Sequence, residues 1–162
     1  MLTAIDRINK GIGVLAAACG LALILVQFGL VLAAHVFNAG SIAWQDSRFY
    51  LNGFLFLGAA GYALATDAHV RVDLFYREAG PHAQAMIDLL GLLVLLAPVL
   101  FLVWWTGLPY VLSSWQQREG AIEAGALPYV YLLKSALLLF ALTLSLQAIA
   151  LGTRCWVRLF RP

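Results

Sequence analysis

Asp67, His69, Arg71, Asp73 and Arg77 crowd into about three helical turns of a chain that is otherwise mostly apolar. With His82 they are the residues whose types could do chemistry. His69 and Asp73, four apart, would share one helix face and could offer a nitrogen and an oxygen to a metal. A second reading needs no metal: Asp67 with Arg71, and Asp73 with Arg77, are also four apart with the acid first, the favoured order for solvated ion pairs. On that reading the stretch from Gly61 to Arg77 is a polar hinge where apolar helices leave a membrane.

Other chemistries find less support. A haem clamped by histidines needs two axial ligands at one height. His35 follows the first apolar run while His69 and His82 belong to the middle connection, so His35 cannot pair with either. An autonomous proton-coupled transporter is expected to hold an ionisable group in the middle of a span, and none is found. Gln27, Asn52 and Gln147 are the main polar residues inside the apolar runs, and interhelical hydrogen bonds account for them. No Ser-His-Asp set, paired cysteines or glycine-rich phosphate loop is present. The expectation is a protein with no enzymatic activity and no cofactor of its own.

The elements that position these residues are set by composition. With 63% hydrophobic and 11% charged residues among 162, and a mean hydropathy of +0.89, the chain has too few charges to cover a soluble domain. The lipid bilayer is therefore its expected environment. The formal charge of +2 is spread over the flanks of apolar runs and makes no basic stripe, which argues against nucleic acid. Cys19 lies inside the first run and Cys155 beyond the last, at depths that do not favour a disulfide.

Four runs predict an all-α, single-domain membrane protein of four helices, with spans at about 11–35, 49–66, 89–110 and 134–153 and a connection at 67–88. Residues Asp6, Arg7 and Lys10 before the first run resemble a signal peptide, but the run is too long for an h-region and reads as an uncleaved span. In that span Ala16 and Gly20, or Ala18 and Ala22, are small residues four apart that would admit a close neighbour. Span two is the richest in Gly and Ala and should be packed rather than lipid-facing. Pro98 should kink span three, Trp104, Trp105 and Tyr110 should mark its interfacial end, and Pro128 suits the first turn of the last helix. Nineteen residues separate Lys134 from Arg154, about 28 Å of helix, so both charges can reach opposite boundaries of span four.

Charge sets the orientation. Arg7, Lys10, Arg71, Arg77, Arg154, Arg158 and Arg161 fall on one side of four spans; Arg48, Arg118 and Lys134 fall on the other. By the positive-inside rule both termini and the 67–88 connection are expected to be cytoplasmic.

An ordered series of short motifs runs from Trp44 onward: Trp44-Gln45-Asp46, Leu57-Gly58-Ala59-Ala60, His69-Val70-Arg71-Val72-Asp73, Ser114-Trp115, Glu119, Gly125-Ala126-Leu127-Pro128, Lys134 and Gln147. The series resembles the small membrane subunit of tripartite ATP-independent periplasmic (TRAP) transporters. Two departures stand out: a lone Asp46 where many members carry adjacent acids, and Gly-Ala-Leu-Pro in place of Gly-Gly-Leu-Pro. The resemblance implies a bacterial inner-membrane subunit of a sodium-coupled secondary transporter. Its implied partners are a large elevator-type permease subunit, which holds the substrate and sodium sites, and a periplasmic binding protein that delivers an organic acid or related solute. It also implies structural or partner-contact roles for Trp44, Asp46, Gly58, His69, Arg71, Asp73, Trp115, Glu119, Pro128 and Lys134. The remaining alternative is a free-standing four-helix membrane protein, such as a b-type cytochrome or a small transporter.

The charge asymmetry is testable by cysteine labelling in a Cys19→Ser, Cys155→Ser background. Arg118→Cys should react with an impermeant maleimide from the periplasmic side only. Reaction from the cytoplasmic side alone would reverse the topology.

Overall fold

The computed structural model describes residues 2–68, 76 and 79–160, and among these every regular element is a helix. Helix α1 spans Leu2–His35 and α2 spans Ile42–Ala65. Helix α3 runs over Pro81–Gln116, and α4 over Val130–Phe160. Three of them, α1, α3 and α4, are long and apolar enough to cross a membrane. In α2 the residues Asp46, Arg48 and Asn52 dilute the apolar character, and it falls short of that measure. His69, Arg71 and Asp73 lie outside the described residues.

Helix ends follow backbone hydrogen bonding rather than the edge of the apolar runs, so the helices outrun the expected spans. α1 begins before Gly11, and α4 extends beyond both Lys134 and Arg154. Residues 81–88, expected to belong to a connection, are already helical, with Pro81 at the first turn where a missing N–H costs nothing. Pro128 is a correction of the opposite kind. It stands two residues before the first helical residue of α4 and ends the preceding loop. Three helix ends close on a residue in the left-handed conformation: Asn38 (φ 50°), Asp67 (φ 58°) and Arg118 (φ 44°). Beyond the first two, backbone N–H groups reach back into the helix, Ala39 to the Ala33 carbonyl six residues before it and Ala68 to the Ala63 carbonyl five before it, so carbonyls of each last turn find donors.

Pro98 acts through the turn before it. It has no N–H to give the Val94 carbonyl, and the helix widens to a π turn over Leu92–Leu96, with the Ala97 N–H bonded to the Leu92 carbonyl. α3 therefore carries its expected distortion as a π bulge next to the proline.

The packing uses α4 as the hub. α1 lies on α2, α2 lies on α4, and α3 packs chiefly on α4. Across the α1–α2 contact, Tyr62, Leu55 and Trp44 of α2 sit over Gly13, Gly20 and Gly29 of α1, an antiparallel series of large side chains over missing ones. Of the two expected small-residue pairs, Ala16 and Gly20 face α2, while Ala18 points outward. The α2–α4 contact runs parallel, with Gly53 under Leu133, Gly58 under Leu139 and Gly61 against Thr143. α3 meets α4 antiparallel, with Leu137 at Gly107 and the Trp104 indole N–H donating to Ser145 Oγ at 3.1 Å. Trp104 is thus a helix-to-helix bridge, while Trp105 is 71% exposed.

Because α2 and α3 both lean on α4 rather than on each other, an apolar groove of about 820 Å³ remains between them, lined by Leu64, Leu92, Leu96 and Phe140 among others. Leu100, Leu144 and Ala148 form the buried cluster beside it.

Gly61 is the tightest approach. A Cβ there would lie 2.6 Å from Thr143 Cβ and 2.9 Å from the Thr143 backbone carbonyl, which cannot move aside as a side-chain tip can. Gly61→Ala should destabilise the fold by about 1–3 kcal/mol, whereas Gly91→Ala, with no atom near its added methyl, should be neutral or stabilising. Thermal unfolding in detergent distinguishes them, and equal midpoints for the two variants would refute the close α2–α4 contact.

Candidate functional site

The polar side chains gather at the two ends of the helix assembly. The first group surrounds the α3–α4 connection. Asp46 and Tyr50, one turn apart on α2, hold both backbone polar groups of Leu127: Asp46 Oδ2 accepts from its N–H at 3.2 Å, and the Tyr50 hydroxyl donates to its carbonyl at 3.3 Å. Gly125, at φ +87°, supplies the left-handed turn just before this clasp, and that is the glycine retained in the Gly-Ala-Leu-Pro run. The position occupied by Ala126 has no such requirement.

The other end of the connection is held by α4. Lys134 Nζ donates to Glu119 Oε2 at 2.5 Å and lies 4.0 Å from the centre of the Tyr110 ring. The Trp115 indole N–H donates to Ser135 Oγ at 2.8 Å, and its ring meets Tyr131 edge-on at 4.7 Å. Lys134 therefore has a carboxylate and an aromatic face within reach, which answers how an ammonium is tolerated near the start of an apolar helix. The Lys134 ammonium, by hydrogen bonding, holds the Glu119 carboxyl below its ordinary value. A carboxyl lowered in this way keeps its contribution above the ordinary carboxylate pKa, and loses it as pH falls through the lowered value. The pair is thus complete at neutral pH.

Trp44 belongs to the same end. Its N–H is capped by Ser41 Oγ at 3.4 Å, and its ring rests on Gly29 of α1. The structure so brings together Asp46, Trp115, Glu119, Pro128 and Lys134 around one connection, with Trp44 at the same end but against α1. Gly58 lies apart, where Ile12 and Ala16 of α1 and Leu139 of α4 converge.

The second group joins α1 to α4 at the opposite end and was not anticipated. Asn9, 1% exposed, donates through Nδ2 to Gln147 Oε1 at 2.8 Å and to the Thr143 carbonyl at 3.4 Å. Gln147 Nε2 reaches Asp6 Oδ1 at 3.5 Å, and Arg154 pairs with Asp6 Oδ2. Sequence reasoning found Gln147 as a polar residue in an apolar run, but took Asp6 only for flanking charge and did not single out Asn9. The usable signal was spacing: Asn9 falls on the same face as Gly13, Ala16 and Gly20. Tyr50 was missed too, although it stands one turn from Asp46.

Chemically, these groups fasten elements to one another. Among the described residues no set of three or more His, Cys, Asp or Glu side chains could hold a metal ion. His35 and His82 are exposed, the former with Nδ1 3.0 Å from the Val31 carbonyl. Cys19 and Cys155 are free thiols.

Loss of the Leu127 clasp should be visible locally. Asp46→Ala removes a charged acceptor and should raise the opening, and hence hydrogen exchange, of the Leu127 amide roughly tenfold. Unchanged exchange would mean that the α3–α4 connection is held without Asp46.

The sequence model of the family described as "Tripartite ATP-independent periplasmic transporters, DctQ component" matches residues 23–157, most of the chain and all of the first polar group. No curated protein and no solved structure matches.

Proposed function

The chain belongs to the DctQ component family of tripartite ATP-independent periplasmic transporters, the small permease components, and from that premise we propose that it scaffolds a large elevator-type permease subunit in a bacterial inner membrane. The family match carries this reading. Two features of the molecule support it. Its polar groups are engaged in holding helices and loops together, and its outer surface is apolar along most of its length, with Leu15, Ile24, Phe28, Leu95 and Phe101 all more than half exposed.

In this reading α2 is the fourth span. It lies antiparallel to α1 and parallel to α4, both long enough to cross, and so shares their depth. Its charged residues, Asp46 and Arg48, lie in its first two turns, near the Leu127 clasp. Both termini then face the cytoplasm with the Arg154, Arg158 and Arg161 tail, and the Trp44 and Glu119 end faces the periplasm, toward the binding protein. The substrate, an organic acid or related solute, and the coupling sodium bind the large subunit. His69, Arg71 and Asp73 are proposed to fix the turn from α2 to α3 and to touch that subunit.

Reconstitution tests the assignment. Proteoliposomes holding this chain alone should accumulate no solute under a sodium gradient, whereas uptake should appear once the large subunit and the binding protein are both present. Accumulation by the chain alone would refute the accessory role, and a haem absorbance band in the purified protein would replace it with the cytochrome alternative.

A further inference from the structure

On the outer surface between α1 and α2 lies a second recess, of about 700 Å³, lined by Leu23, Ile24, Phe28 and Phe49 with Gln27 and Arg48 on its wall. Arg48 is half-buried and stands six residues into α2, about 9 Å along the helix from its start. Its hydrogen bonds go to uncharged acceptors, from Nη1 to Gln27 Oε1 at 3.1 Å and from Nε to the Gln45 carbonyl at 3.0 Å. The nearest acid in sequence, Asp46, is turned to the other side of α2, where it accepts from Leu127. Among the described residues no carboxylate pairs with Arg48, in contrast to Lys134 and Arg154, which each have one.

A guanidinium beside exposed Phe28 (63%) and Phe49 (60%), at the outer edge of the proposed span and without a counter-charge, is costly. Its fork of donors suits a phosphate, and two of its five N–H groups are accounted for by the contacts above. An apolar helix laid over the recess would cover Ile24 and Phe28 but would leave the charge unmatched. A molecule with an anionic phosphate and an adjoining hydrocarbon chain satisfies both.

We propose that this recess is a phospholipid site, with the lipid phosphate on Arg48 and one acyl chain along Leu23, Ile24, Phe28 and Phe49. The inference rests on α2 being a membrane span, and it is independent of whether the chain pairs with a large permease subunit. The phosphate neutralises the cation that the fold itself leaves unpaired, so the lipid completes the α1–α2 contact at its outer end.

Native mass spectrometry of the full chain, released from detergent after titration with dioleoylphosphatidylglycerol, tests this. Wild type should retain one lipid, and Arg48→Gln should lower its apparent affinity roughly tenfold, as expected for loss of a charge-assisted contact. Ile24→Trp, which fills the recess and spares the charge, should lower it as well. Equal loss in Arg158→Gln, an exposed arginine at the far end of α4, would mean non-specific attraction and overturn the site. Competition by inorganic phosphate at equal concentration would replace the lipid with a simple anion. Displacement of the lipid by added large subunit, with cross-linking from position 49, would make the recess a protein interface instead. Labelling of Thr66→Cys, at the far end of α2, by an impermeant maleimide from the periplasmic side would remove the underlying assignment of α2 as a span first.

Discussion

The α2–α4 contact at Gly61 and Thr143 is the constraint on which the rest of the structure depends. Helices in lipid have no hydrophobic effect to draw them together, so they associate through close packing and hydrogen bonds. With no side chain at Gly61, the Thr143 backbone comes within 2.9 Å of the position a Cβ would occupy. That approach brings α4 near enough for its next turn to present Gln147 to Asn9 of α1. One missing methyl group thereby sets the spacing of three helices.

The two polar groups then close the assembly at its ends. A buried amide in a dry interior is costly unless its partners are met, so Asn9 and Gln147 select one register of α1 against α4. At the opposite end Asp46 and Tyr50 tie the α3–α4 connection back to α2, and Glu119 with Lys134 ties it to α4. In both groups the side-chain hydrogen bonds run mostly between separate elements of the chain, although Asn9 Oδ1 is buried without a partner. Polarity serves internal fastening, and the outer surface is largely apolar.

α3 stands somewhat outside this arrangement. It packs chiefly on α4, it carries a π turn before Pro98, and a groove separates it from α2. Its contacts with α4 are nevertheless specific, since Trp104 and Trp115 both donate to serines of that helix. An aromatic ring with a polar edge can fill space and satisfy a hydroxyl at once, which is why these tryptophans hold helices together as well as marking an interface.

The sequence by itself determined the class of this protein. Apolar runs of spanning length, scarce charge and the ordered motifs from Trp44 to Gln147 led to an all-helical membrane chain and to its family, because hydrocarbon admits little else and because those motifs are local in sequence. Lys134 was singled out by its place at a span boundary together with the family resemblance, and Gln147 by its apolar surroundings. Only the tertiary structure decided what these residues meet. That Glu119 answers Lys134, that Asn9 answers Gln147, and that Leu127 is clasped from 81 residues away are pairings across separate helices. Periodicity along one chain carries no information about its neighbour's register. Proline shows the same limit: its missing N–H announces a disturbance, but whether the helix kinks, widens to a π turn as at Pro98, or simply starts later as after Pro128 depends on what packs beside it.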